Sequence, residues 1–459
     1  MTAGVILPSS AAALYARIAD LPIVSPHGHC DPAWWATNAA FPNPAALLIQ
    51  PDHYVFRMLY SRGVPLAALG IGPGGEDHDP RAVFQLLAQH WDAFLGTPSQ
   101  QWMAFTLTQT LQIDTPLSPG TAQVLYDEIA AKLATDAFRP RALFDRFGIE
   151  VLATTDPATD LLSHHAAIAS SAWQGRIIPT FRPDDVLDPT RPKHAGALAQ
   201  LAQITGRDIA HYGSFLDALR DRRAAFRALG ATATDHDVPE LATCWLDRDQ
   251  IEALHAQAIA GTLRNAEART YYGHMLVEMA QMSVDDGLVM QIHAGSRRNT
   301  NAPLFASHGP DMGADIPGVI DWVAGMGPLL NRVGNAPNLN VILFTLDESS
   351  YARELAPMVG HWPCLRLGPP WWFHDSVNGI RRYFDRVVET AGYHNLSGFN
   401  DDTRAFLSIP ARHDTWRRAV ALHLAGQVDC GILAQADAER LAPFLARDLA
   451  LDAYGLRES

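Results

Sequence analysis

From residue 148 to the end of the chain, short apolar runs alternate with longer helical stretches. This rhythm restricts the fold more than any other feature of the sequence. The runs cover 149–155, 176–181, 231–234, 288–293, 341–345, 364–368 and 395–400. One more, Leu21-Pro22-Ile23-Val24, lies near the N-terminus, behind a stretch at 9–20 that reads as a short helix. Strands that alternate with helices predict a parallel sheet. Eight such units predict an α/β fold, a closed (β/α)8 TIM-type barrel.

Residues 33–147 break the rhythm. They are rich in Trp, Leu, Ala and Phe, are punctuated by Pro and Gly, and contain no strand series. The segments 121–133 and 140–147 read as helix. The expected organisation is an N-terminal helix and first strand over 1–32, a mostly helical insertion over 33–147, and the rest of the barrel over 148–459.

Composition narrows the function classes. Of 459 residues, 48% are hydrophobic and 18% charged, enough for a large buried core. The formal net charge of −14 gives no general attraction to nucleic acid or to an anionic membrane. The expected partner is therefore a small molecule, with a homo-oligomer left open. Cys30, Cys244, Cys364 and Cys430 form no CxxC pair, which argues against a disulfide framework or a zinc knuckle. No basic segment precedes a long apolar core, so the expected location is the cytoplasm.

The chemistry-bearing residues cluster just after the apolar runs. His27-Gly28-His29 ends the first run, and alternate side chains of a strand share one side. The two imidazoles can therefore aim at one metal ion, although two loop histidines bonded to backbone would read the same way. Asp402 follows the eighth run, which in a closed barrel lies beside the first. His27, His29 and Asp402 would then converge on one divalent ion. Asp402 is also well suited simply to cap the segment 403–407. Two His and one Asp suit zinc, and also manganese, iron or cobalt. Asp156, Arg182, Asp235, His236, His293 and Arg404 occupy similar positions after their runs.

Spacing alone leaves other residues open. Tyr54 and Arg57 could share one face of a helix begun by Asp52. Arg182 could form a surface salt bridge, and His293 could be a hydrogen-bonded core histidine. Trp371 and Trp372 could wall a pocket or pack in the core. Asn299 and Asn301 could contact a bound ligand or hold a turn, and His236 and Asp237 are similarly ambiguous. Asp311, between Gly309-Pro310 and Gly313, reads as a loop former. The segment Gly70-Ile71-Gly72-Pro73-Gly74-Gly75 fits GxGxxG, but Pro73 and the following Glu76, Asp77 and Asp79 mark it as a surface turn rather than a nucleotide loop.

Separate motifs along nearly the whole chain carry a family resemblance. They are HGH at 27–29, DHYVFR at 52–57, TTD at 154–156, FRPD at 181–184, TDH at 234–236, HAGSRRNTN at 293–301, GPDMG at 309–313, GPPWWF at 368–373 and DDTRAFLS at 401–408, followed by Arg412-His413. On these the chain resembles the uronate isomerase (glucuronate isomerase) family of the amidohydrolase superfamily. The resemblance implies a metal-dependent aldose–ketose isomerase that converts D-glucuronate to D-fructuronate and D-galacturonate to D-tagaturonate through an enediol. It implies His27, His29 and Asp402 as ligands of one divalent metal. It also implies Asp402, Arg404, Tyr54 and His293 as catalytic residues, and Arg182, Arg298, Trp371 and His53 as substrate-binding residues, with Arg182 facing the carboxylate. The chain departs from the family pattern in Ser25-Pro26 before the histidine pair, in Gly28 between them, in Gln100–Met103, and in its C-terminal residues.

The chemistry matches these residue types. Isomerisation moves a proton from C2 to C1 while a neighbouring oxygen gains negative charge, and a metal or an arginine near that oxygen stabilises it. Two other functions use the same residues. One is a hydrolase of the same superfamily acting on a sugar-acid lactone or amide. The other is a sugar-acid binding protein without catalysis. Turnover of uronates to ketoses in D2O separates the three.

Overall fold

Strand β1, Ile23–Ser25, is the first stave of a parallel barrel in the computed structural model, which describes residues 6–457. The staves that follow are β2 (Ile149–Ala153), β3 (Ile177–Ile178), β4 (Ala233–Val238), β5 (Val289–Ala294), β6 (Val341–Thr345) and β7 (Leu365–Leu367). Short continuations, Asp156–Pro157 and Phe181–Arg182, extend the second and third staves. Every pairing around the barrel is parallel. The eighth stave meets the seventh at a single bridge, Leu396 to Leu367. It then closes on the first. Asp402 N–H donates to the His27 carbonyl at 3.3 Å, and His29 N–H donates to the Thr403 carbonyl at 3.0 Å. The protein is a (β/α)8 barrel.

Two staves differ from the sequence reading. The fourth run was expected to end at Thr234, but β4 continues through Asp235, His236 and Asp237 to Val238 with all six residues buried. The buried polar groups find partners there, so polarity did not end the strand. The eighth run forms no extended ladder. Gly398 turns at φ +76°, where a Cβ would stand 2.6 Å from the Ala450 nitrogen. The N-terminal helix is also shorter than expected, spanning Ser9–Ala16.

The barrel interior is packed rather than hollow. Inward side chains Val24, Val151, Ala153, Ile178, Ala233, Val289, Ile342 and Phe344 cluster with Leu451, Tyr454 and Leu456 from the C-terminal segment. Asn340 and Arg176, just before β6 and β3, donate to the Ala453 and Leu456 carbonyls. The C-terminal segment therefore covers the N-terminal mouth of the barrel, and the C-terminal ends of the strands are left to form a cavity.

Between β1 and β2 the chain is helical. Local chemistry explains where these helices begin. Pro44, Pro80, Pro98 and Pro140 each sit in the first turn, where a missing N–H costs nothing. Asn43, Asp79 and Thr97 accept from backbone N–H groups as caps. The helices pack around Trp35, Phe84, Phe94 and Ile129, in a cluster that also takes in Ile149, Ile177 and Phe406 from the barrel. The segment 70–75 is a turn with Gly70, Gly72 and Gly74 at positive φ, as the sequence implied. No helix among the described residues is long and apolar enough to cross a membrane.

Candidate active site

The histidine pair and the late aspartate meet where the barrel closes. His27 Nε2 lies 3.5 Å and His29 Nε2 3.1 Å from the same atom, Asp402 Oδ1. Three ligands 2.0–2.1 Å from a tetrahedral zinc would stand about 3.3 Å apart, so the spacing suits an ion between them. The electrostatics agree. Burial pushes the Asp402 carboxyl up, but hydrogen bonds from His27 and His29 hold it well below the usual carboxylate range. Burial lowers His29. Burial works most strongly against a charged His27, but the hydrogen bond to Asp402 and the negative charges of Asp402 and Asp235 together outweigh it and raise the group. These residues offer an anionic oxygen and two imidazoles at one point, the donor set that a divalent cation takes. Asp402 reaches this position with φ at +39°, a conformation that aspartate tolerates better than most residues.

A second histidine–aspartate pair stands beside the first. His293, on β5, stacks against His27 with ring centres 4.7 Å apart. Its Nδ1 lies 2.7 Å from Asp235 Oδ1 on β4. His27, Asp235 and His293 could also surround an ion, but Asp235 is already committed. Oδ1 binds His293 and Oδ2 meets Arg182 at 3.2 Å. Burial raises Asp235, yet Arg182 and His293 hold it well below the usual range, so it is ionised. Burial lowers His293. A neutral His293 beside an ionised carboxylate carries its proton on Nδ1. Nε2 is then a free lone pair, buried and without a partner among the described residues.

A cavity of about 570 Å³ opens over these residues. His27, His29, His53, Arg182, Asp235, His293, Arg298, Trp371, Asp402 and Arg404 all line it, so the barrel gathers nearly every residue singled out from the sequence. Asn299, Asp237, Trp372 and Asp311 line it as well. Asp311, expected only to shape a loop, also pairs with Arg404 at 3.2 Å. Asn301 instead caps the helix Ala302–His308, and His236 turns away from the cavity to Thr234 Oγ1. Strand periodicity explains the split: Asp235 and Asp237 share one side of β4, and His236 takes the other.

Two of the expected residues have surroundings that bear on the roles the resemblance implies. Tyr54 does not line the cavity. It follows the helix cap Asp52 and His53, and its hydroxyl points back to Asp375, 3.0 Å from both carboxylate oxygens. Trp372 and His53 stand in front, and the His53 ring stacks on Tyr54 at 5.1 Å. Arg182 does line the cavity, but three carboxylates already hold it. Nε meets Asp184 at 2.7 Å, Nη1 meets Asp235 at 3.2 Å and Nη2 meets Asp237 at 3.7 Å. A guanidinium neutralised in this way is a poor first partner for a substrate carboxylate. Arg298 is similarly engaged by Asp237 and Asp315. Among the described residues Arg404 pairs with Asp311, and both side chains are more than two-fifths exposed, so its charge is the more available.

His53 adds a neutral imidazole. Burial, with Arg404 and Arg412 nearby, pushes it down to about 3. Sequence reading left Asp237 open and missed Arg191 and Asp375 as parts of the site. The alternation along β4 could have found Asp237. Arg191 joins Asp237 at 2.9 Å from a loop with no periodic signal. Asp375 is pushed up to about 6 by burial, against the pull of Arg412.

Known proteins share this sequence and this fold. The family model described as glucuronate isomerase matches residues 5–452. A uronate isomerase of Rhizorhabdus wittichii is 55% identical over 440 residues, which cover 96% of this chain and 92% of that one. The crystal structure of glucuronate isomerase from Caulobacter crescentus superposes with a TM-score of 0.97 at 49% identity, covering 98% of this chain and 95% of that chain. The uronate isomerase structure from Thermotoga maritima gives a TM-score of 0.92 at 25% identity, covering 98% of both chains. This chain belongs to the glucuronate isomerase family.

Proposed function

We propose that this protein is a hexuronate aldose–ketose isomerase, converting D-glucuronate to D-fructuronate and D-galacturonate to D-tagaturonate. The observation that carries the reading is the convergence in one cavity of the His27, His29 and Asp402 cluster, the free Nε2 of His293 and the available cation Arg404. Family membership supplies the substrate class.

His27, His29 and Asp402 would hold one divalent ion, and this donor set favours zinc. When bound, the ion supplies positive charge that orients substrate oxygens and stabilises negative charge on them. The remaining work falls to the chain. Asp402, ionised, accepts the anomeric hydroxyl proton as the C1–O5 bond breaks and delivers it to the ring oxygen O5, so the sugar opens with no net change in protons. His293 Nε2 takes the proton from C2 and returns it at C1. The hydroxyl proton moves from O2 to O1, so the reaction balances without an oxidant. Arg404 stabilises the negative charge that grows on the enediolate oxygen. Asp235 holds His293 in the tautomer that can act as base. Trp371, Trp372 and His53 shape the wall against which the sugar lies, and Arg298, held by Asp237 and Asp315, packs its guanidinium over the Trp372 ring and offers a cation to the sugar acid.

The test is NMR in D2O with each uronate and the zinc-loaded protein. The expected result is ketose formation with solvent deuterium at the transferred position wherever the proton exchanges. Hydrolysis of a lactone panel without isomerisation, or binding without turnover at full metal occupancy, would overturn the reading.

A further inference from the structure

Asn299, Asp311, Phe373 and Asp402 all hold left-handed backbone at or beside the cavity, and two of these turns matter here, Asp402 at φ +39° and Phe373 at φ +72°. For a phenylalanine this conformation is costly, and it persists only where surrounding contacts hold it. Phe373 follows Trp371 and Trp372, which wall the cavity. Asp402 is the shared oxygen donor of the histidine cluster. The two turns come from different loops, after β7 and after the eighth stave.

One buried ion pair ties them together. Arg412 is 4% exposed and lies in the helix Ile409–Asp429. Its Nη1 donates to the Asp401 carbonyl at 3.4 Å, immediately before Asp402, and meets Asp375 Oδ2 at 3.2 Å. Its Nε donates to Ser408 Oγ at 3.1 Å, and its guanidinium lies 3.8 Å from the Trp102 ring. Asp375 accepts from the Tyr54 hydroxyl at 3.0 Å, and Tyr54 Oη accepts from Phe373 N–H at 3.3 Å. The connection thus runs from the Asp402 turn through Arg412, Asp375 and Tyr54 to the Phe373 turn.

We propose that the Arg412–Asp375 ion pair is a clamp that sets both turns at once. Through Asp401 it fixes the Asp402 carboxylate against His27 and His29. Through Tyr54 it fixes the aromatic wall. Arg412 and Asp375 do not line the large cavity, so they are positioning residues that act through Asp402 and through Trp371 and Trp372. Tyr54 is the link between Asp375 and the wall. A guanidinium is needed because it binds a carbonyl, a hydroxyl and a carboxylate in fixed directions while stacking on an indole, which an ammonium cannot do.

The experiment uses the full chain stripped of metal, titrated with zinc against a chromophoric chelator, and then assayed after zinc loading at pH 8. Arg412→Met is expected to weaken zinc affinity at least tenfold and to raise KM. Arg412→Lys should recover less than half of that loss on a logarithmic scale. Asp375→Asn is expected to raise KM at least fivefold, with zinc affinity within twofold of the parent and kcat within threefold. A residue that served only stability would lower the melting temperature without separating these effects. Parental zinc affinity in Arg412→Met overturns the proposal, and so does an unchanged KM in Asp375→Asn. If Arg412→Met does not fold, the Asp375→Asn result decides. The KM arm rests on the isomerase reading and the zinc arm does not. A parent protein that turns over no uronate sinks that reading, and the zinc titration still tests the clamp.

Discussion

Asp235 Oδ1 and His293 Nδ1 lie 2.7 Å apart on neighbouring strands, and this contact decides which nitrogen of His293 carries the proton. The register pairs Asp237 with His293 directly, so Asp235, two residues earlier on the same face, and His293 reach toward each other along the strands. Replacing Asp235 with Asn keeps the shape, but an amide can donate to Nδ1 and drive the proton onto Nε2. His293→Asn removes the base itself and is expected to lower kcat by roughly 10²–10⁴-fold. Asp235→Asn should lower kcat in the same direction, with a smaller effect on KM. Steady-state kinetics with D-glucuronate, together with deuterium exchange at C2, measure both. Wild-type kcat in Asp235→Asn would show that the tautomer is irrelevant.

Asp402→Asn isolates the anionic ligand. Asparagine accepts left-handed backbone as readily as aspartate, so the turn at φ +39° should survive. What is lost is the negative charge between His27 and His29. Turnover is expected to fall nearly to zero, and the zinc content per chain well below one. Elemental analysis of the purified variant and a uronate assay report the two quantities, with circular dichroism confirming the fold. A variant that kept its zinc and its activity would remove Asp402 from both roles.

The barrel was legible because parallel strands buried on both faces read as continuous apolar runs, and β2, β5 and β6 do so plainly. β4 was half hidden, because its C-terminal half is Asp235-His236-Asp237 and becomes strand only when arginines from other loops neutralise it. The histidine pair could be read from a period of two. The position of Asp402 could be read from barrel closure. The direction of the Tyr54 hydroxyl could not, since it depends on Asp375 and Phe373, more than three hundred residues away in sequence. Nor could the full neutralisation of Arg182, because Asp235 and Asp237 come from β4 and only Asp184, at the start of the short helix Asp184–Leu187, is near it in sequence.

Arg182 and Arg404, two of the arginines that line the cavity, should respond in opposite ways. Arg182 is a quarter exposed, and its removal leaves three carboxylates without their shared cation. Breaking such a pair from one side costs about 3 kcal/mol. Arg404 pairs with the exposed Asp311, and a pair of that kind contributes about 1 kcal/mol at most. Arg182→Met is therefore expected to lower the urea midpoint strongly, whereas Arg404→Met should leave it nearly unchanged and lower kcat instead. Chemical denaturation and kinetics on the same two samples decide. Equal loss of stability in both variants would contradict the difference in their surroundings.

Asp156 gives a pH-dependent prediction away from the catalytic cluster. Burial pushes its carboxyl up to about 7, with Thr154 pulling it down and Asp160 pushing it further up. The folded chain therefore prefers Asp156 protonated, while the unfolded chain ionises it near 4. The stability it contributes is complete below pH 4 and is lost as pH rises through 7. Asparagine imitates the protonated acid and can still accept from the Thr154 hydroxyl, which donates to Asp156 Oδ2 at 2.7 Å. Asp156→Asn should thus be stabilised relative to the parent by an amount that grows by roughly 1.4 kcal/mol per pH unit between pH 4 and 7 and levels off above. Urea midpoints of both proteins at pH 5, 6, 7 and 8 follow the difference. A gap that stays constant, or that narrows as pH rises, would mean that the folded protein holds Asp156 ionised in spite of its burial.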